Sequence, residues 1–114
     1  MELKQLQNDA SKVFLNNLKR DNIKVSEEYL VMKLTEELGE FVQSFLIHKK
    51  SCRPEKYKSL KDSKRETSKE LADVLGIIFV IAKTMNIDVE EALVKKWITR
   101  EWMLGGALKG SKGC

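Results

Sequence analysis

The sequence predicts an all-α protein with a four-helix core. Helix-breaking residues are rare, since the 114 residues include one proline and six glycines, and most of the glycines fall in the last ten positions. Apolar residues recur every three or four positions along much of the chain, as in amphipathic helices. We expect one helical domain over residues 1–104 and a flexible C-terminal tail over residues 105–114.

The first two helices are predicted from apolar spacing and capping residues. Residues 3 to about 20 carry apolar side chains at helical intervals. Ser26 is a suitable N-cap for a second helix that extends to about residue 49, because its hydroxyl can accept from a free backbone N–H. The apolar positions are Leu3, Leu6, Ala10, Val13, Phe14 and Leu18 in the first helix and Leu30, Leu34, Leu38, Phe41, Val42 and Phe45 in the second.

A loop over residues 50–62, which contains the single proline, separates these helices from two more. Ser63 and Glu66 have the spacing of a capping box and predict a third helix from there to about residue 85. Its segment 71–82 is apolar nearly all round, which favours a position at the centre of a bundle. Asp88 and Glu91 repeat the capping pattern before a fourth helix that carries Met103.

Composition narrows the class of protein. Hydrophobic residues make up 42% of the chain and charged residues 33%, and the longest apolar stretch, 74–82, is far shorter than the roughly 20 residues that span a bilayer. Two distant cysteines predict neither a zinc site nor a disulfide framework, so we expect a cytoplasmic protein. The net charge is +4, and its basic cluster either attracts phosphates or is simply a solvated loop. That cluster is Lys49, Lys50, Arg53, Lys56, Lys58, Lys61, Lys64, Arg65 and Lys69.

Two short acidic patterns carry the functional signal. Glu37 and Glu40 lie three positions apart on the second helix, and Glu70 and Asp73 lie three apart on the third. Residues at this spacing share a helix face, and both pairs border the apolar stripes. We therefore expect all four carboxylates to point toward the seam between the two helices.

Carboxylates gathered in this way need a compensating charge. Two of them about 5 Å apart repel by roughly 3 kcal/mol at an effective dielectric constant near 20. Protonation, pairing with basic side chains or a bound cation would relieve this repulsion. Oxygen ligands without thiolate or imidazole favour Mg²⁺, with Mn²⁺ as a substitute, and Mg²⁺ commonly takes further ligands from substrate phosphates. In the alternative interpretation the glutamates are surface acids paired with lysines such as Lys33.

The arrangement resembles the MazG-like nucleotide pyrophosphohydrolases, a family of the all-α nucleoside triphosphate pyrophosphatase superfamily. The resemblance covers about residues 30–100 and rests on paired EExxE and ExxD motifs some thirty residues apart, followed by basic residues. These motifs are Glu36-Glu37-Leu38-Gly39-Glu40, Glu70-Leu71-Ala72-Asp73 and the basic residues Lys95, Lys96 and Arg100.

The resemblance implies a Mg²⁺-dependent enzyme that cleaves a nucleoside triphosphate, NTP or dNTP, to the monophosphate and pyrophosphate in nucleotide-pool housecleaning. It implies a homodimer or homotetramer with active sites near subunit contacts. Glu37, Glu40, Glu70 and Asp73 would hold the metal, and Glu36 would orient or deprotonate the attacking water. Lys95, Lys96 and Arg100 would hold the phosphates.

Three other functions stay open at this point. One is the related phosphoribosyl-ATP pyrophosphohydrolase, which uses a similar acidic helix pair. Another is a basic module that binds nucleic acid, which is disfavoured because it lacks interleaved aromatic residues and because the central acids would repel a phosphate backbone. The third is an adaptor without catalytic activity, in which the acids are only structural.

Overall fold

The computed structural model describes residues 2–98, and within that range the chain is all-helical, with four α-helices and no strand. The helices are α1 (Leu3–Arg20), α2 (Glu27–His48), α3 (Leu60–Thr84) and α4 (Val89–Trp97), and a 3₁₀ turn (Pro54–Lys56) lies between α2 and α3. The all-α prediction is therefore confirmed. The predicted tail at 105–114 and Met103 lie outside the described residues.

Helix starts follow local capping chemistry at two of the three predicted N-caps. The Ser26 hydroxyl accepts from the Tyr29 backbone N–H at 3.0 Å, and the Asp88 carboxylate accepts from the Glu91 N–H at 3.1 Å. The predicted start of α3 at Ser63 is wrong. Ser59 caps this helix instead, and Ser63 is a buried position inside it.

The core is built around α3, which packs against α2 on one side and α1 on another. Two buried polar residues of α1, Gln7 and Ser11, hold this arrangement in place, and the Ser11 hydroxyl donates to the Phe79 carbonyl of α3 at 3.4 Å. The Gln7 amide donates to the Ile87 carbonyl at 2.9 Å and accepts from the Val89 N–H at 3.3 Å, so it ties α1 to the turn before α4. The buried core side chains are Leu18, Leu30, Ile77, Phe79, Val80 and Ala82.

Much of the predicted apolar surface of α2 and α3 is uncovered in the single chain. Two stripes remain exposed: Leu38, Val42 and Phe45 on α2, and Leu71, Leu75 and Ile78 on α3. Helical periodicity places both stripes on the side of the α2–α3 hairpin that faces away from α1. The segment 71–82 is therefore covered by α1 and α2 but exposed along the stripe of Leu71, Leu75 and Ile78, so the expectation of a central position is met only in part within the described residues.

No helix within residues 2–98 is both long enough and apolar enough to cross a membrane.

Candidate metal centre

Two polar contacts fix how α2 and α3 lie against each other. The Ser44 and Thr67 hydroxyls are 3.2 Å apart, and His48 Nδ1 is 2.7 Å from the Ser63 hydroxyl. Both pairs fit the same antiparallel alignment of the two helices, because a step back along α2 corresponds to a step forward along α3. In this alignment Glu37 lies opposite residues 73 and 74. These polar contacts thus place the acidic residues of the two helices at the same height along the α2–α3 pair.

Three of the four predicted metal ligands converge at this level. Carboxylate oxygens of Glu37, Glu70 and Asp73 all lie within 4.8 Å of one another. The Glu37 side chain is 12% exposed, so it points into the seam, whereas Asp73 lies at the solvent-facing edge. Glu40 is exposed and outside this trio, but it is close enough for its charge to act on both glutamates.

The cluster raises the proton affinity of its own members. Burial, then hydrogen bonding to the Glu40 carboxyl and the negative charges of Glu40 and Asp73, raise the pKa of Glu37 from 4.5 to about 7. Burial is also the largest cause that raises the pKa of Glu70, followed by the charges of Glu40 and Asp73. The repulsion expected from the sequence is present at both glutamates.

Two oxygens at the centre lack any protein partner. Oε2 of Glu37 and Oε2 of Glu70 are both buried and accept no hydrogen bond from the described residues. Buried acceptors without a partner are costly in a folded protein. A hard cation between the helices would satisfy both oxygens and offset the burial and the negative charges that raise the two pKa values.

The ion pairs of Glu36 and Glu37 with Lys33, which the alternative interpretation of the sequence predicts, are also present. Lys33 Nζ lies 2.5 Å from Oε1 of Glu36 and 3.6 Å from Oε1 of Glu37. The charge of Lys33 lowers the pKa of Glu37, but burial and the neighbouring acids outweigh it. Lys33 therefore offsets one edge of the cluster and leaves the oxygens at its centre without a partner.

A cleft of about 420 Å³ opens beside the acids. Glu37 and Asp73 form part of its wall, and α1 contributes Phe14 and Asn17 from the opposite side. Gly76 leaves room in this cleft, because a Cβ at that position would meet nothing within 4 Å. The volume is within the range of small-molecule sites.

The chain matches no protein-family model, curated protein or solved structure. Carboxylate oxygens of Glu37, Glu70 and Asp73 lie within 4.8 Å of one another, so rotation of these side chains would bring all three to one cation. An all-oxygen donor set with two unpartnered buried atoms fits a hard divalent cation.

The other predicted site residues are not gathered with the trio. Glu36 is 58% exposed and pairs with Lys33 on the outer face of α2. Lys95 pairs with Glu91 on α4 at 2.6 Å, and Lys96 is exposed on the same helix. Arg100 lies outside the described residues.

Sequence reasoning missed three residues at the site. Glu66 lies one turn before Glu70, and its charge contributes to the raised pKa of that residue. Its spacing of four residues from Glu70 places the two side chains on one face of α3, and this spacing can be read from the sequence. The sequence shows Phe14 only as an apolar position of α1 and gives no signal for Asn17, because no local pattern shows which side of α1 faces the cleft.

We predict that the metal-free protein loses stability as the pH rises from about 4.5 to about 7. Between its ordinary pKa of 4.5 and its folded-state pKa of about 7, Glu37 binds a proton in the folded state that the unfolded state has released. The free energy of unfolding therefore falls with pH across this window, and Glu70 acts in the same direction. Thermal unfolding in a chelating buffer from pH 4.5 to pH 8 measures the effect.

Glu37→Gln should flatten this pH dependence and raise the melting temperature at pH 8, because the variant removes the titrating charge. Asp9→Asn, at an exposed acid of α1, is the control and should keep the wild-type profile. A Glu37→Gln profile as steep as that of the wild type would contradict the prediction.

Proposed function

We propose that this chain is a MazG-like, Mg²⁺-dependent pyrophosphohydrolase that converts a nucleoside triphosphate to the monophosphate and pyrophosphate. The observation that carries the proposal is the trio of converging carboxylates with two buried, unpartnered oxygens beside an open cleft. Metal-assisted hydrolysis of a phosphoanhydride needs such an acidic cluster next to room for substrate.

Each acid has a distinct position in the proposed reaction. Glu37, Glu70 and Asp73 would hold the metal, and Glu40 would complete the acidic rim. When bound, Mg²⁺ would neutralise phosphate oxygens and lower the pKa of a coordinated water. Cleavage between the α- and β-phosphates consumes one water, whose proton would pass to a carboxylate. Glu36 is the candidate acceptor, and it would have to leave its contact with Lys33 on the outer face of α2 to reach that water.

The walls of the cleft suit the rest of a nucleotide. Phe14 offers an aromatic face and Asn17 an amide that can both donate and accept hydrogen bonds. These groups lie across the cleft from Glu37 and Asp73, so the base and the phosphates would have separate contacts. Such a division holds the phosphoanhydride against the acids.

The phosphate-binding role of Lys95 and Lys96 requires a second copy of the chain in this proposal. Helix α4 packs against α1, and neither lysine lines the acidic cleft of its own chain. An oligomer with the active site near a subunit contact would bring these lysines to the phosphates of a neighbouring site.

A nucleotide panel tests the proposal. The purified protein is incubated with each ribonucleoside and deoxyribonucleoside triphosphate in Mg²⁺ or Mn²⁺, and the products are separated by ion-exchange chromatography. We expect equal amounts of monophosphate and pyrophosphate from at least one nucleotide, and none after chelation. A folded protein that releases no pyrophosphate would favour the adaptor function, and diphosphate with orthophosphate would contradict cleavage between the α- and β-phosphates.

A matched pair of glycine variants links the activity to the cleft. Gly76→Leu places a side chain in the space beside Asp73, and we expect a raised KM or complete loss of turnover. Gly39→Leu is the control, because Gly39 is also helical with open space around its Cα, but it does not line the cleft. Equal effects of the two variants would place the substrate elsewhere.

A further inference from the structure

The end of the α2–α3 hairpin is strongly positive. Residues 49–65, here named the basic end, hold eight lysine and arginine side chains against two acids, which gives a local charge of +6. Because the whole chain carries +4, all other residues together carry −2. The positive charge of this protein is therefore concentrated in one surface, and the fold gathers it at one end of an elongated hairpin.

Both acids of the basic end are already engaged. Glu55 lies 4.0 Å from Arg53, and Asp62 lies 3.0 Å from Arg65. The remaining six cations are exposed and form no ion pair with any residue in the range 2–98. These are Lys49, Lys50, Lys56, Lys58, Lys61 and Lys64. An unneutralised cluster of this kind attracts polyanions and releases their counterions.

The basic end also presents an aromatic ring among the cations. Tyr57 is 44% exposed, and Lys50 Nζ lies 5.0 Å from its ring centroid. Basic side chains around an accessible ring are the combination by which proteins hold single-stranded nucleic acids, with phosphates on the cations and a base stacked on the ring.

The acids of the metal centre are too far from residues 49–61 of the basic end to repel a partner bound there. Lys49, the residue after the end of α2, lies nine positions after Glu40, and Lys61 on α3 lies nine positions before Glu70. At 1.5 Å per residue, each separation is about 14 Å along the helix axis. This exceeds the Debye length of about 8 Å at physiological ionic strength. The repulsion expected from the sequence therefore does not reach residues 49–61, whereas Lys64 and Arg65, six and five positions before Glu70, lie about one Debye length from it.

We propose that the basic end binds single-stranded nucleic acid through its phosphate backbone, without sequence selectivity. A membrane surface fits less well, because the connection over residues 49–59 lacks the apolar face that inserts between lipids. The proposal is independent of the pyrophosphohydrolase reaction, since the basic end and the acidic cleft share no residue.

Fluorescence anisotropy with a labelled 20-nucleotide single-stranded DNA of mixed sequence tests the proposal. If about four phosphates are contacted, the logarithm of the association constant should fall with the logarithm of the salt concentration with a slope of about −3. That slope corresponds to about 50-fold weaker binding at 200 mM than at 50 mM NaCl. We expect Lys56→Glu, Lys58→Glu and Lys61→Glu, combined, to weaken binding at least about tenfold at 100 mM.

The control carries the same change in net charge elsewhere: Lys12→Glu, Lys24→Glu and Lys83→Glu combined, at exposed positions outside the basic end. This triple variant should bind within about twofold of the wild type, since the local cluster is intact. Tyr57→Ala should weaken binding about fivefold and Tyr57→Phe should not, because stacking needs only the ring. Circular dichroism confirms that each variant is folded.

Three results would overturn the proposal. They are equal losses in the two triple variants, a slope near zero, or absence of DNA binding at 50 mM NaCl. Binding to phosphatidylserine vesicles without binding to the oligonucleotide would assign the surface to membranes instead.

Discussion

Replacing Glu70 by glutamine is expected to reduce kcat/KM for nucleotide hydrolysis at least about 100-fold. Loss of groups that only support metal ligands commonly costs 10- to 100-fold, so removal of a charged ligand should cost no less. Glutamine keeps the size of the side chain but removes the charge from one of the three converging carboxylates. Asp73→Asn should have a similar effect for the same reason.

Melting temperatures of Glu70→Gln with and without Mg²⁺ should show that the variant loses metal binding and still folds. In wild type, Mg²⁺ at ten times its dissociation constant stabilises the folded state by about 1.4 kcal/mol, which raises the melting temperature by roughly 5 °C. Glu70→Gln should lose most of this increase. In a chelating buffer at pH 8 it should melt higher than wild type, because one repelling charge is gone.

Glu90→Gln is the matched control, since it makes the same chemical change at an exposed position on α4. It should keep both the activity and the response to Mg²⁺. If Glu70→Gln retains wild-type turnover, or if Mg²⁺ raises its melting temperature as much as that of wild type, the trio does not hold the metal.

The exposed apolar side of the α2–α3 hairpin is expected to be a subunit contact. We expect wild type to form at least a dimer through this surface, with a mass at least twice the 13.1 kDa of the chain. Leu38 and Leu75 are each 48% exposed, and Val42 is 46% exposed. Monomeric proteins rarely leave a contiguous apolar patch of this kind in water, and pairing two hairpins would complete a four-helix bundle.

Val42→Glu combined with Leu75→Glu should convert the oligomer to a monomer. Two carboxylates per chain would lose their water in the interface, at a cost of several kcal/mol, so the dissociation constant should rise at least about 1000-fold. Size-exclusion chromatography with light scattering measures the mass at several protein concentrations.

Met32→Glu provides the control for this experiment. Met32 is 73% exposed and lies on another side of α2, so its charge should leave the oligomer intact. A wild type that is monomeric at high concentration would contradict the prediction, as would a double variant that keeps the wild-type mass.

Helix positions and most of the acidic site could be predicted from local pattern, because both depend on residues within one or two turns. Ser26 and Asp88 cap their helices as expected, since an N-cap satisfies backbone groups only three residues away. The three-residue spacing likewise places Glu70 and Asp73 on one face of α3. Their convergence with Glu37 was inferred from the apolar stripes that the acids border, and the geometry of the trio agrees with it.

The local sequence pattern does not predict the correct residue where two nearby residues have the same type of side chain and similar neighbours. Ser59 and Ser63 are each followed by an acid three residues later, so both qualify as the N-cap of α3. The packing of α3 against α2 decides between them, because it buries Ser63 against His48. Similarly, Glu36 and Glu37 are neighbours in sequence, but only Glu37 points into the seam, while Glu36 is held outside by Lys33.

Four helices, their approximate bounds and the pairs of acids on α2 and α3 can be predicted from local residues, since these features follow from backbone capping and helical periodicity. Local residues do not predict which carboxylates share one space, which side of α1 faces the cleft, or which apolar stripes stay in contact with water. These features depend on the register and rotation of packed helices. Contacts between residues far apart in the chain set that register and rotation, and no local window of sequence contains them.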